Sequence, residues 1–510
     1  METLDLAVPR QLTIALGPDL LLMVGAMLLL LWAAWRPDGP AHQRAVATAS
    51  IVLCLITGAA VWWYLMHGFT AAPGPIGVDN FRWMADLVIL IGTIFAIALA
   101  RDDNDRQGIG AAESHVLILL ASSGMMLLAA ARDLMILFLA VELMSIAVYA
   151  LAGLDRRSAR AAEGALKYFL LGAFSSAFLL YGIALVYGAT GTTGLATIAE
   201  RIVENGAGSP LLLAGIAFLI VGFGFKVATV PFHMWAPDVY DGAPSSITAY
   251  MAATVKAAAF AAFLRVWLEA FPGAYGVWHN AIAAIAIATM VIGNAIGLAQ
   301  RNLKRLLAYS SIGHAGYLLV AVAPATLQGA SAMLFYLLVY TLATFGAFAV
   351  VIAMTRPGRG AVMVDELSGL WSTRPWLALG MAVIMLALFG FPIFGGAGFF
   401  AKWYVLQAAL QARNRETLLA VALVLTTVIS AGYYLYVIMV MFMRAPSADT
   451  EPLPRTPMLT RAVLAVTVVT ILVLGVYPNW VQRVVSRGLP RVERASAIGL
   501  LGGQPGGLAR

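Results

Sequence analysis

Apolar residues run through this chain in long blocks separated by short polar joints. Residues 116–131 (VLILLASSGMMLLAAA) and 134–152 (LMILFLAVELMSIAVYALA) are typical blocks. A helix needs about 20 such residues to cross the hydrocarbon core of a bilayer. Only helices and closed barrels satisfy their backbone polar groups there, and the period-two alternation of a barrel is absent. The pattern predicts an all-α polytopic membrane protein with about 14 transmembrane helices. They are placed at 12–35, 43–66, 82–100, 114–131, 134–154, 165–188, 210–230, 246–268, 279–299, 304–323, 330–354, 375–394, 418–443 and 457–479. Residues 399–411 complete the twelfth beyond a break.

Two blocks are interrupted. In VGFGFKVATVPFHMWAPDVY (221–240), Lys226 ends an apolar run and Pro231 follows five residues later. In LFGFPIFGGAGFFAKW (388–403), Lys402 follows Pro392, Gly395 and Gly396. Taking spans 4–8 and 9–13 as two units of five, each interruption falls on the fourth member. An odd number of helices inverts the second unit relative to the first. Glycine- and proline-broken segments at matching places in two halves point to an inverted-repeat transporter. The second members also correspond, with Glu142 in one and His314 in the other. The expected organisation is a three-helix segment over 1–112, a first five-helix repeat over 113–270, an inverted second repeat over 271–445, and a last helix with an Arg/Gly-rich tail over 446–510.

Composition agrees with a membrane chain: 61% of the 510 residues are hydrophobic and 11% charged, with mean hydropathy +0.87. A soluble domain carries about a quarter charged residues. The net charge of +7 would suggest nucleic acid in a soluble protein, but here it follows the loops. Sixteen Arg and Lys, among them Arg36, Arg101, Arg156, Lys304, Arg359 and Arg444, fall in loops after odd-numbered spans. Six (Arg10, Arg82, Arg132, Arg201, Arg413, Arg415) fall on the other side. That excess places the odd loops in the cytoplasm and the N-terminus on the periplasmic side of a bacterial inner membrane. The tail arginines (Arg483, Arg487, Arg491, Arg494, Arg510) run against the rule. The stretch METLDLAVPR has neither the basic region nor the cleavage site of a signal peptide.

Redox chemistry is not expected on this chain. One cysteine, Cys54, cannot ligate an iron–sulfur cluster. No strand-linked GxGxxG, P-loop or HExxH occurs. Proton chemistry is another matter. Of 32 basic residues only five are lysines, and Lys167, Lys226, Lys256 and Lys402 lie inside apolar segments while the arginines sit almost entirely in loops. Arginine stays protonated, whereas a buried lysine can release its proton.

Neutralising a lysine at pH 7 costs roughly 4.6 kcal/mol. Keeping it charged at mid-bilayer costs a similar amount, about 2.5–3.5 kcal/mol or more. A carboxylate about 4 Å away supplies about 4 kcal/mol at an effective dielectric near 20. Moving a carboxylate therefore switches such a lysine between charged and neutral. Glu142, within LFLAVELMSIAVY, is the available one. For that residue alone, a permanently protonated buried glutamate is an equal reading. Beside three mid-membrane lysines, a proton path is the better one. Lys256 lies among alanines at mid-span and Lys402 beside a broken helix, and both read as functional. Lys167, one turn after Glu163, reads as a surface pair. His314 stands equally as a satisfied core histidine or a relay, and His233 as a cap or a relay. Asp19, Asp86 and Asp133 read as structural or peripheral.

The stretch FKVATVPFHMWAPDVYDGAPSSITAYMAATVKAAAF, supported by EGALKYFLLGAFSSAF and LKRLLAYSSIGHAGY, resembles the antiporter-like membrane subunits of respiratory complex I and the large subunits of Mrp-type sodium/proton antiporters. The resemblance covers nearly the whole chain. Lys402 stands where one member of that group is expected to carry glutamate, and the long lateral helix of another is missing. The resemblance implies that Glu142 pairs with Lys226, that Lys256 is the central relay, and that Lys402 connects to the far side, with His314 on the path. It implies a proton-translocating subunit of an NADH:quinone oxidoreductase. Partners would be other membrane subunits, further antiporter-like ones included, together with lipids and protons but no nucleic acid. NADH, FMN, iron–sulfur clusters and quinone would belong to partner subunits. A Mrp-type cation/proton antiporter subunit and a non-transporting scaffold are the alternatives.

Overall fold

The computed structural model describes residues 3–35, 39–71, 74–356, 362–393, 396–412, 414–446 and 455–479. The tail arginines, along with Arg36, Arg359 and Arg413, lie outside the described residues. A helix occupies each of the expected segments. In chain order these are α1 (Gly17–Trp35), α2 (Pro40–His67), α3 (Asn80–Gln107), α4 (Glu113–Ala130), α5 (Leu134–Ala152), α6 (Ala159–Thr190) and α7 (Pro210–Lys226), then α8 (Ser245–Glu269), α9 (Tyr275–Gly297), α10 (Leu303–Val322), α11 (Leu327–Met354), α12 (Pro375–Phe389), α13 (Gly396–Gln411), α14 (Thr417–Met443) and α15 (Met458–Val476). Among the described residues, eleven helices are long and apolar enough to cross a membrane, and α7 and α12 are shorter apolar helices. Among the described residues the one strand pairing is parallel and two residues long, Thr3–Leu4 with Thr70–Ala71.

Burial sorts the helices into a centre and a rim. The apolar stretch of α8 is 100% buried and that of α11 94%, against 28% for α1. A helix apolar on every side belongs either in a protein core or against lipid. Here α8 and α11 take the core, and α1, α2, α6, α14 and α15 present leucine and valine faces outward. Close packing around α8 rests on small residues, Ala257, Ala258, Ala259, Ala261 and Ala262, all buried. Within α8, residues Met251–Val255 form a wider, π-type turn that ends just before Lys256. Such turns insert one extra residue into a helix and recur at functional sites.

The two broken helices close in the same way. In α7 the N–H of Thr229 bonds to the carbonyl of Gly224 and that of Ala228 to Phe225, with Ala228 in the left-handed region at φ 57°. In α12 the N–H of Phe391 bonds to Leu386 and that of Gly390 to Ala387, with Gly390 at φ 88°. This double closure is the Schellman arrangement. It corrects the expected place of the first break. The helix ends at Lys226 itself, not at Pro231, because the left-handed Ala228 has already turned the chain. Pro231 follows in the connection, where it displaces no helical hydrogen bond.

Candidate functional site

Lys226 is the last residue of α7 and is 5% exposed. A cation is favoured at a helix C-terminus, where the carbonyl ends are unpaired. Its ammonium turns toward α5, donating to Ser145 Oγ at 2.8 Å and Tyr149 OH at 3.3 Å. The rings of Tyr149 and Phe225 stand 5.6 and 5.8 Å away, within cation–π range. Glu142 lies one turn before Ser145 on α5 but accepts from Ser176 Oγ of α6 at 2.5 Å. No ion pair joins Glu142 to Lys226 among the described residues, so the expected pair is not in contact and Ser145 takes the lysine instead. Glu142 is also only half-buried, beside the exposed Leu139, Leu143 and Ile146. It sits at the rim rather than in the core.

Lys256 is 1% exposed and has no carboxylate within ion-pair reach among the described residues. Its Nζ donates to the backbone oxygen of Ser311 on α10 at 2.7 Å and to the hydroxyl of the same residue. Ser310, next in the chain, is hydrogen-bonded to Tyr434 OH of α14. Tyr434 OH also meets His314 Nε2 at 3.0 Å, while His314 Nδ1 meets Tyr336 OH of α11 at 2.6 Å. Both ring nitrogens are thus engaged, and by hydroxyls that can either donate or accept. His314 is satisfied and still able to pass a proton.

Lys402 completes the group. Its Nζ donates to the backbone oxygen of Phe389 at 2.8 Å and to Thr427 Oγ1 at 3.3 Å, and it lies 4.6 Å from the centre of the Tyr317 ring. A small cavity bordered by His314, Tyr336, Tyr340 and Lys402 has room for a water centre over about 10 Å³. That is about the space one water needs. The structure therefore brings Lys256, His314 and Lys402 together through hydroxyls and this cavity. It places Lys226 and Glu142 in a second cluster between α5, α6 and α7. No described hydrogen bond joins the two clusters.

The hydroxyl residues Ser145, Ser176, Ser311, Tyr336 and Tyr434 carry most of these contacts and were not singled out by the sequence. The only signal was their occurrence in apolar runs such as AYSSIGHAGY and AGYYLYV. Two cations expected in loops are buried instead. Lys304 is 3% exposed in the first turn of α10, with its ammonium on the carbonyls of Asp241 and Ala243 at 2.9 and 2.6 Å. Arg82 is wholly buried in the first turn of α3, paired with Asp19 and Asp86.

Lys167 makes the expected pair with Glu163, at 2.7 Å, and adds Asp238 at 3.2 Å. Asp238 also accepts from Arg305 at 2.9 Å. Partial burial pushes the Asp238 carboxyl up, but the hydrogen bonds and charges of Arg305 and Lys167 outweigh it and hold it below the usual range. His233 lies on the turn after the first break, and its Nδ1 has no hydrogen-bond partner among the described residues.

Comparison with known proteins adds the family. The family model described as NADH:quinone oxidoreductase/Mrp antiporter, TM, matches residues 131–430. The NADH-quinone oxidoreductase subunit N of Gemmatimonas aurantiaca is 50% identical over 482 residues, 93% of this chain and 92% of the relative. That of Methylobacterium nodulans is 43% identical over 91% of this chain and 95% of the relative. Among solved structures, a chain of respiratory complex I from Thermus thermophilus with bound aureothin superposes with TM-score 0.78 at 36% identity, covering 92% of this chain and 100% of that one. A chain of the Mrp complex from Dietzia sp. gives TM-score 0.82 at 20% identity, over 95% and 100%, a likeness of fold alone.

Proposed function

The chain belongs to the NADH:quinone oxidoreductase/Mrp antiporter membrane family, and we propose that within it Glu142, Lys226, Lys256, His314 and Lys402 carry protons. It is a multi-pass membrane subunit of an NADH-quinone oxidoreductase, a translocase complex, of the kind named subunit N in its relatives. On this reading electron transfer, flavin, iron–sulfur clusters and quinone reduction occur in partner subunits, in a bacterial inner membrane with this chain's N-terminus outside. An epitope tag beside Arg157 should then be reachable only from the cytoplasm.

The observation that carries the proton reading is the setting of Lys256. A wholly buried ammonium is held by the hydroxyl and backbone oxygen of one serine, with no carboxylate among the described residues to fix its charge. A structural ion pair would have a counter-ion, because an uncompensated buried charge is strongly destabilising. A lysine without one is free to lose its proton. On this reading the proton crosses from Ser311 to the hydrogen-bonded group Ser310, Tyr434, His314 and Tyr336, which borders the one-water cavity at Lys402. No described hydrogen bond joins Ser311 to Ser310, and water would bridge that step.

In the first cluster Glu142 is the movable charge. It is held by Ser176 on one side, and Ser145 on its own helix face holds Lys226 one turn away. A change of partner from Ser176 toward Lys226 would raise the lysine's affinity for a proton, and the reverse change would release it. Water admitted at the Lys226 break would span the interval to Lys256. The decisive experiment is Lys256→Met in the assembled complex reconstituted into vesicles. Proton uptake per NADH oxidised should fall, together with most of the coupled quinone reductase rate. An unchanged ratio at full assembly would overturn the reading.

A further inference from the structure

Away from the lysines, Arg82 on α3 carries two carboxylates, Asp19 of α1 and Asp86 one turn further along α3. Its Nη2 is bonded to Asp19, and its Nε lies 3.5 Å from Asp86. Its Nη1 is taken by the carbonyl oxygens of Ala15 and Gly77 at 3.2 and 3.0 Å. Arg82 and Asp86 are 0% exposed and Asp19 8%. Among the described residues, neither oxygen of Asp86 has a hydrogen-bond partner, and neither does the second oxygen of Asp19.

The neighbours do not fill that need. Tyr64 of α2 donates to the carbonyl of Ile14, and the indole N–H of Trp83 is directed to Phe69. The adjoining ion pairs are balanced among themselves, with Asp79 and Glu269 matched by Arg265 and Arg132. Two carboxylates on one guanidinium therefore leave one negative charge without a match. An ionised carboxylate buried without hydrogen bonds is costly, and taking up a proton removes the cost. Two acids in such a site share one proton rather than both ionise.

We propose that the Asp19–Arg82–Asp86 cluster binds one exchangeable proton, carried on Asp86. Asp19, bonded directly to the guanidinium, keeps the charge. Asp86, with only the more distant Nε of Arg82 beside it among the described residues, takes the hydrogen. This station belongs to α1 and α3, outside the lysine sequence described above. It adjoins a second charged group. Asp79 accepts from the backbone N–H of Arg82 at 2.9 Å, and its other contacts run through Arg265 to Glu269 and Arg132. Arg132, Asp133 and Glu269 line an open cavity of about 310 Å³.

Infrared difference spectroscopy of the assembled complex, grown with carbon-13 aspartate, tests this. Wild type minus Asp86→Asn at neutral pH should show the carbonyl stretch of a protonated aspartic acid, and the band should shift down in D2O. In Asp19→Asn the guanidinium is freed for Asp86, which should then ionise, so the band should vanish there too. Absence of the band from wild type minus Asp86→Asn would overturn the proposal, as would a band indifferent to D2O. Persistence in Asp19→Asn would overturn the sharing of one guanidinium. If Asp86→Asn fails to assemble, wild type minus Asp19→Asn carries the same test.

Discussion

The ammonium of Lys402 is bonded at 2.8 Å to the backbone oxygen of Phe389, the residue that ends α12 on the other side of the break. The broken helix thus supplies its own lysine with a carbonyl that an intact helix would have kept for itself. Lys226 is accommodated differently, by the hydroxyls of Ser145 and Tyr149 on α5. In neither place, among the described residues, does an ion pair with a carboxylate hold the buried cation.

Lys402 should therefore change charge during turnover instead of anchoring the break. Arginine keeps the positive charge but does not give up its proton, while glutamate titrates. At equal assembly, the coupled quinone reductase rate should order as wild type, then Lys402→Glu, then Lys402→Arg, with most of the activity lost in the last. An active arginine variant beside a dead glutamate variant would make Lys402 a fixed charge.

The first cluster makes a separate forecast about which partner holds Glu142. Glu142→Ala and Lys226→Ala should both lower proton pumping while the complex persists. Ser176→Ala removes a hydrogen bond to the carboxylate, worth about 1.5–3 kcal/mol, and should bring Glu142 closer to Lys226. The pH profile of turnover should then shift upward, because Lys226 would hold its proton to higher pH. A profile identical to wild type would show that Ser176 does not hold back the carboxylate.

Gly398 is where the two halves of the second broken helix touch. A Cβ there would lie 1.7 Å from the backbone oxygen of Ala387, so Gly398→Ala must push α13 off α12. Overpacking of this kind costs about 1–3 kcal/mol or more, and the displacement would take Lys402 away from Phe389. Thermal unfolding of the purified complex should occur at lower temperature than in Gly276→Ala, where nothing lies within 4 Å. Equal stability of the two variants would contradict the contact.

Asp79 gives a pH test outside the spans. Burial pushes its carboxyl up, but the charge and two hydrogen bonds of Arg265, at 2.9 and 3.0 Å, outweigh burial and hold it well below the usual range. A carboxylate held down in this way adds stability above its unfolded value, about 4, and loses it as the pH falls through the folded value. Asp79→Asn should be less stable than wild type at neutral pH, and the gap should narrow as the medium is acidified below about 4. A gap constant with pH would mean that only the helix cap was lost.

The sequence marked the lysines well because nothing in an apolar run offers a lysine an ordinary surface role. Lys226, Lys256 and Lys402 are all buried as that argument requires. It misjudged Arg82 and Lys304, whose partners lie on other elements: Asp19 on α1 for the first, the carbonyls of Asp241 and Ala243 for the second. A residue near a predicted helix end reads as a loop residue until the fold shows what covers it. Glu142 departs in the opposite sense, half-buried where mid-span burial was expected, since an apolar run does not reveal which face meets the rim. Ser311, Tyr336 and Tyr434 were illegible because a hydroxyl in an apolar helix is equally at home bonded to its own backbone.

The π-type turn at Met251–Val255 also bears on chain length. A turn of this kind holds one residue more than the regular helix, and each residue of a helix subtends about 100°. Everything beyond it in α8 is therefore rotated by that amount from where an unbroken helix would put it. The contacts of Lys256 with Ser311 and of Arg265 with Asp79 both lie on the rotated side of this offset. A one-residue deletion between Met251 and Val255 would give a more regular helix, yet it would turn both cations away from their partners at once. The bearing of half of the most deeply buried helix is thus encoded as a single extra residue.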